Sequence, residues 1–337
     1  MPDSEVSQAF LINSNVMKIV YFGTPEIAAS QLEAILAAGY EVPVVVTTPD
    51  RPAGRGKQMH SSEVKECALK YGLPVLQPEK LKDEAFVEQL RSYHADLFVV
   101  VAFRMLPEVI WSMPPKGTIN LHASLLPQYR GAAPINHVII NGEKETGLTT
   151  FILDKEIDTG AMIMQEKVAI SDTMNAGELH DTLMHLGNDV IVKTIKMIEE
   201  GKVQAESQKS VIEKENLVLK PAPKIFKEDC YIDWNKSGRE IYNFVRGLSP
   251  YPAAHAKIQN PEGEILDLKI FKTELASKID ENDKIFSLKT DQKAFLEVVL
   301  KDSAIKILEL QQAGKKSMPI AEFLRGTRVS EDWKLVL

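Results

Sequence analysis

Three polar side chains could carry out chemistry together. Asn120 and His122 stand two residues apart at the end of an apolar run, in TINLHASLLPQYRGAAPI (118–135). Asp158 sits in the turn EIDTG, between the two apolar segments of FILDKEIDTGAMIMQE (151–166). A strand alternates its side chains between two faces, so a spacing of two puts Asn120 and His122 on the same face. The residues that follow, SLLPQYRGAAP, cannot continue a strand. The pair therefore points out of a strand end. An amide, an imidazole and a carboxylate brought together there suit acyl transfer to a substrate amine, with no Ser or Cys nucleophile needed. The amide donates to a developing oxyanion. The imidazole donates too, or moves a proton, and the carboxylate orients the imidazole and stabilises its charged form. The same spacing also fits a hydrogen-bonded strand-end histidine and a turn-forming aspartate.

Other motifs say less. The loop after the first apolar run, FGTPEI, offers Gly23 alone and places Pro25 in the turn, so the dinucleotide pattern GxGxxG is missing. AGRGKQ (53–58) lacks the GxxxxGK[ST] of a phosphate loop and follows PDRP rather than a strand end. His122, His137 and Asp158 match no metal-ligand spacing, and no metal is expected. Cys67 and Cys230 form neither a CxxC pair nor a disulfide framework, which suggests a reducing compartment.

The elements that must position the three residues are legible in outline. MKIVYF (17–22), EVPVVVTT (41–48), DLFVVVAF (96–103) and GTINLHAS (117–124) read as buried strands. Pro25, then Ile27, Leu32, Ile35 and Leu36, then Gly39, mark the start, face and stop of a helix. Leu179, Leu183, Leu186 and Val190 mark a second helix that runs to about Glu200 and closes at Gly201. This alternation predicts an α/β fold, a Rossmann-like, mostly parallel sheet with helices on both faces whose ligands bind at the carboxyl ends of the strands. Residues 206–228 are polar, contain two prolines and show little periodicity, so they read as a linker, with a long surface loop inside one domain as the alternative. Beyond them DCYIDW (229–234), HAKI (255–258), EILDLKIFK (264–272), DKIFSLK (283–289), AFLEVVL (294–300) and SAIKILELQ (303–311) read as short strands, interrupted by one helix, SGREIYNFVRGL (237–248). They predict a small β-barrel or sandwich, with a five-to-six-stranded open barrel as the expected form. The expected domains are 17–205 and 229–337, preceded by a disordered extension over 1–16.

The 337 residues carry a net charge of −7 and contain no apolar run long enough to span a membrane. A negative total argues against nucleic acid as a partner. The charge is unevenly spread, however. Residues 1–205 hold 18 Lys+Arg against 26 Asp+Glu, and residues 206–337 hold 22 against 21. The acidic excess belongs to the first part alone. The N-terminal stretch MPDSEVSQAFLINSNV has neither a basic leader nor a long apolar segment, so a cytoplasmic location is expected.

KIVYFGTPEIA, TTPDRPAGRGKQ, INLHASLLPQYRGAAPI, EIDTG and LQQAGKKSM together resemble the signature of the folate-dependent formyltransferases, from Met17 to about Leu337. The resemblance implies a Rossmann-like formyl-donor domain and a C-terminal barrel like an OB-fold. It implies transfer of a formyl group from 10-formyltetrahydrofolate to the α-amine of methionyl-initiator tRNA, with Asn120, His122 and Asp158 as the catalytic residues. A monomer without a membrane partner is expected. The folate contacts it implies are Ala102, Phe103, Arg104, Met105 and Leu106, then Ser124, Leu125, Leu126 and Pro127, then Leu153, Asp154 and Ile157. The family often shows AYG and three further residues before Pro, whereas this chain reads AFRMLP, one residue shorter and without that glycine. Plain core packing is the alternative for Phe103, Met105 and Leu106. The implied RNA contacts are Arg51, Arg55 and Lys57 in PDRPAGRGKQ (49–58), whose Pro and Gly argue against regular structure, and Lys220, Lys224, Lys227, Arg246, Lys315 and Lys316 in a basic channel. Within the same fold the amine could belong to a sugar nucleotide or to glycinamide ribonucleotide, though neither needs the PDRPAGRGKQ loop and a C-terminal barrel. A non-catalytic RNA-binding module would not need Asn120, His122 and Asp158.

Overall fold

The structure, a computed structural model, describes residues 16–53, 58–276 and 283–336. By compactness the chain falls into two units. One comprises Met1–Leu121, Thr150–Lys155 and Gly187–Ala205, the other His122–Thr149, Glu156–Leu186 and Glu206–Leu337. The expected extension falls almost wholly outside the described residues.

The first unit opens with β1 (Lys18–Gly23), α1 (Glu26–Ala37) and β2 (Glu41–Val46). A hairpin, β3 (Arg51–Ala53) and β4 (Gln58–His60), and α2 (Glu63–Lys70) follow, then β5 (Val75–Leu76), α3 (Glu84–Arg91), β6 (Leu97–Val101) and α4 (Glu108–Trp111). β7 (Thr118–His122) completes the series. Strands β5, β2, β1, β6 and β7 pair in that order, all in parallel. The apolar runs of β1 and β6 are buried on both faces, as a parallel sheet requires. Val20, Phe22, Val44, Val46, Phe98 and Val100 build one core layer, while Ile19 and Tyr21 are fully buried on the opposite face. Pro25 precedes the first turn of α1, the helix buries Ile27, Ala28, Leu32 and Ile35, and Gly39 at φ +85° ends it.

The hairpin corrects an expectation. Arg51 pairs with His60 and Pro52 with Met59, so part of the PDRPAGRGKQ segment is regular despite its proline. A two-stranded ribbon has free edges, which is where a residue without an N–H is tolerated.

After β7 come α5 (Pro134–Ile140), β8 (Glu145–Ile152), β9 (Met162–Ala169) and α6 (Ala176–Glu199). The strand order of the sheet continues β7-β8-β9. In α6 the stripe Leu179, Leu183 and Val190 is buried and Gly201 turns at φ +65°. The segment read as a linker contains α7 (Gln208–Glu215), a helix whose polar sequence hid it.

The barrel part of the second unit holds α8 (Gly238–Leu248), β10 (Ala254–Gln259), β11 (Ile265–Ala276), β12 (Leu288–Thr290), β13 (Leu296–Val299), β14 (Ala304–Gln312), β15 (Met318–Pro319), α9 (Ile320–Gly326) and β16 (Lys334–Val336). The order is β12-β13-β14-β11-β10-β16, each neighbouring pair antiparallel. A bridge between Ser287 and Lys334 brings the two ends of this order together. A nearly closed barrel results, filled by Ile258, Leu268, Ile270, Val298, Ile305 and Leu310 and capped by Ile241, Val245 and Leu248 of α8. Ser237 and Glu240 form a capping box at the start of α8.

Two predicted strands differ. DCYIDW forms a short 3-10 turn at Glu228–Cys230 and a single bridge from Tyr231 to His255, because Asp229 accepts from the Phe226 N–H and Asp233 from the Asn235 N–H, curling the chain at both ends. DKIFSLK becomes strand only from Leu288, since Phe286 lies at φ +66° in a turn.

Candidate active site

His122 ends β7 and is 7% exposed. Its Nε2 lies 2.9 Å from the carbonyl oxygen of Tyr129. A carbonyl only accepts, so Nε2 carries the hydrogen and donates it. Nδ1 is the ring nitrogen not committed to that bond. It faces Asp158 Oδ2 at 3.7 Å, beyond direct hydrogen-bond range yet close enough for an ion pair once the ring is charged. Asp158 Oδ2 also accepts from the Gly131 N–H at 2.9 Å. Asn120, half-buried and paired with Val100 of β6, sits two residues before His122 on the same strand. The pleat of β7 therefore directs both side chains to one face.

The turn that carries Asp158 is held in an unfavourable conformation. Asp158 has φ +54°, in the left-handed region that costs most non-glycine residues about 1–2 kcal/mol and that Asp enters more readily than most. Such geometry persists only where the surroundings over-determine it. Gln208, the first residue of α7 and 1% exposed, donates from Nε2 to the carbonyls of Asp158 at 2.9 Å and Gly160 at 2.8 Å. Its Oε1 accepts from Arg130 Nε at 3.0 Å and Nη2 at 2.6 Å.

The loop after β7 is fixed in the same way by residues 220–222. The Tyr129 N–H donates to the Lys220 carbonyl, the Ala222 N–H to the Arg130 carbonyl, and the Ala133 N–H to the Ala222 carbonyl. Gly131 has φ +126°, and a Cβ there would stand 2.3 Å from the Ala222 oxygen, so the approach requires glycine. Lys220 Nζ meets Glu143 Oε1 at 2.5 Å, and the Tyr129 hydroxyl donates to the same carboxylate. Burial pushes the Glu143 carboxyl up, but Lys220 and Tyr129 outweigh it and hold the group below its ordinary range. Burial, reinforced by Glu143, pushes the Tyr129 phenol up.

The residues expected to contact folate divide by exposure. Met105 and Ile157 are 64% and 61% exposed, and Ala102 and Asp154 are also exposed. Leu106 is buried, and Phe103 is half-buried against Phe22 with its ring 5.8 Å away. Leu153 packs on the same core layer. Arg104 lies over the Phe103 ring and donates to the carbonyls of Pro78 and Glu79. In the loop after β7, Ser124 is buried with its hydroxyl donated to the Gln128 carbonyl, and the Leu126 N–H is donated to Thr149 Oγ1. Pro127 is buried and Leu125 half-buried.

The residues expected to contact RNA divide too. Arg51, Lys224, Lys227, Lys315 and Lys316 are exposed. Arg55 and Lys57 lie outside the described residues. Lys220 is held by Glu143 with its side chain 52% exposed. Arg246 differs from the expectation. It is 7% exposed, with Nε donated to Asn243 Oδ1 and Nη1 to the Met174 carbonyl at 2.7 Å. Its guanidinium ties α8 to the segment before α6 rather than standing free for phosphate.

Gln208, Arg130 and the Gly131 N–H belong to the candidate site without having been expected there. Arg130 and Gly131 lie within the quoted INLHASLLPQYRGAAPI stretch, but Gln208 gave no signal, being one polar residue among many.

A family model described as formyl transferase matches residues 17–195, and a model of the formyl transferase C-terminal domain matches residues 224–328. Curated relatives named methionyl-tRNA formyltransferase include one from Bacteroides fragilis, 52% identical over 95% of this chain and 98% of its own. Another, from Flavobacterium johnsoniae, is 47% identical over 95% of this chain and 99% of its own. Among solved structures, WlaRD, a sugar 3N-formyl transferase in the presence of dTDP and 5-N-formyl-THF, shares the fold. Its TM-score is 0.62 at 20% identity, covering 90% of this chain and all of that one. HypX from Aquifex aeolicus with tetrahydrofolic acid aligns at a TM-score of 0.60 and 14% identity, over 92% of this chain and 47% of that one. The matched models and the close relatives together make this chain a member of the formyl transferase family, among the methionyl-tRNA formyltransferases.

Proposed function

We propose that the protein transfers the formyl group of 10-formyltetrahydrofolate to the α-amine of methionyl-initiator tRNA, giving N-formylmethionyl-tRNA for translation initiation. The observation that carries the chemistry is His122 Nδ1 facing Asp158 Oδ2 at 3.7 Å, at the end of the strand that also bears Asn120. The acceptor follows from the close relatives, and a folate donor agrees with the family.

The amine of an α-amino ester has a pKa near or below the free α-amino value of about 7.7–8.0, so at neutral pH much of it is nucleophilic. It attacks the formyl carbon. A new C–N bond forms, the carbonyl electrons move to oxygen, and collapse breaks the bond to the donor nitrogen, which takes up the proton released by the amine. Asn120 donates its side-chain N–H to the oxyanion. His122 Nδ1, the ring nitrogen not committed to Tyr129, relays the proton, and while charged it adds to oxyanion stabilisation. Asp158 stabilises that imidazolium and keeps the ring oriented. Met105 and Ile157 offer exposed apolar surface suited to the flat ring system of a folate. Arg51, Lys315 and Lys316 are the exposed cations we assign to tRNA, joined by Lys220, Lys224 and Lys227. We leave Arg246 out because of its burial.

The test is a formylation assay with purified protein, the folate donor, and either charged initiator tRNA, uncharged tRNA or an amino-sugar nucleotide. Only the charged tRNA should be formylated. Formylation of the amino sugar in its place would overturn the assigned acceptor.

A further inference from the structure

We infer that Gln208 is a positioning residue for formyl transfer, acting through Asp158, and this rests on the catalytic reading of Asp158 given above. The side chain has two N–H donors and an oxygen that accepts two hydrogen bonds. All four capacities are filled, by the carbonyls of Asp158 and Gly160 and by Nε and Nη2 of Arg130. At 1% exposure no water competes for them. The bond to the Asp158 carbonyl acts on the residue whose backbone is at φ +54°. Rotating that peptide toward a relaxed conformation would break the bond to the Asp158 carbonyl and leave one Gln208 N–H without its acceptor in a buried position, which is costly. The carboxylate of Asp158 is thereby kept against the Gly131 N–H and toward His122 Nδ1. Arg130 belongs to the same loop as the Tyr129 carbonyl that fixes the His122 ring. One amide thus ties together the two loops that carry the imidazole and carboxylate contacts. An amide is required there. A carboxylate would satisfy Arg130 but would face two carbonyl oxygens with no hydrogen to give.

The experiment compares Gln208→Ala, Gln208→Glu, Asp158→Ala and the double variant Gln208→Ala/Asp158→Ala by single-turnover formylation of charged initiator tRNA. KM for donor and tRNA and thermal midpoints are measured alongside. Displacing a catalytic group by about 1 Å costs on the order of 10²-fold in rate. Gln208→Ala should lose about that much in kcat, with both KM values within about threefold of the parent protein. The loss should vanish in the Asp158→Ala background, because residues that act as a unit are non-additive. Gln208→Glu is isosteric and keeps its acceptor for Arg130, so it serves if the alanine variant does not fold. It should lose kcat at neutral pH, and the ratio of its kcat to that of the parent protein at the same pH should rise as the pH falls and the introduced carboxyl acquires a hydrogen to donate. An unchanged kcat in Gln208→Glu, or equal losses from Gln208→Ala with and without Asp158, overturns the inference. A fully active Asp158→Ala variant overturns the catalytic reading instead.

Discussion

At the scale of single residues, the site depends on which atoms already have partners. His122 Nε2 is committed to a carbonyl, so the proposed reaction assigns proton transfer to Nδ1, which faces Asp158. Asn120 lies on β7 two residues before His122, a placement that was legible from a spacing of two. Removing one oxyanion donor typically costs about 10²–10³ in rate. Asn120→Ala and His122→Ala are expected to lose at least about 10² in single-turnover rate with near-native circular dichroism. A loss of only a few-fold in either would remove that residue from the chemistry. Arg246 stands near the end of α8, and the family resemblance implied it as a phosphate contact. Its burial depends on α8 lying against residues 171–174, and no local pattern announces a contact across 72 positions.

Elements were legible where burial writes a period into the sequence. β1 and β6 are apolar throughout because both faces are covered, and α8 carries a clear apolar stripe under a capping box. α7 carries no such stripe. Gln208 is its one buried residue, so the reading of 206–228 as a bare linker had no apolar signal to correct it. Residues 220–222 likewise run along the loop after β7 through backbone bonds, which any sequence can make. Glu143 ties this stretch down through Lys220, and the tie is pH-dependent. Its pKa is lowered in the folded protein, so its contribution is complete above the ordinary glutamate value of about 4.3 and is lost as the pH falls through the lowered value. Urea midpoints of the parent and Glu143→Gln proteins should differ at pH 7 and converge as the solution is acidified below that range. A difference that stays constant down to pH 3 would contradict the role of the ionised carboxylate.

For the whole molecule, the net charge of −7 turned out to be an average. The acidic excess lies in residues 1–205, and the remainder is nearly balanced. Non-specific RNA binding should therefore be weak, and affinity for tRNA should rest on local cations such as Arg51, Lys315 and Lys316. Each phosphate they neutralise releases counterions, with a slope of about −0.7 to −0.9 in log affinity against log salt. Lys315→Ala/Lys316→Ala should flatten the salt dependence of tRNA binding and raise KM for tRNA while leaving KM for the folate donor unchanged. An identical salt slope would place these lysines outside the RNA surface. The most direct test of the central claim is single-turnover formylation of charged initiator tRNA by the parent protein and by Asp158→Asn, which keeps the shape but removes the charge facing His122. The parent protein is expected to release N-formylmethionine on ester hydrolysis, and Asp158→Asn to do so about 10²-fold more slowly at unchanged tRNA affinity. Equal rates for the two proteins, or no formylated product from the parent, would contradict it.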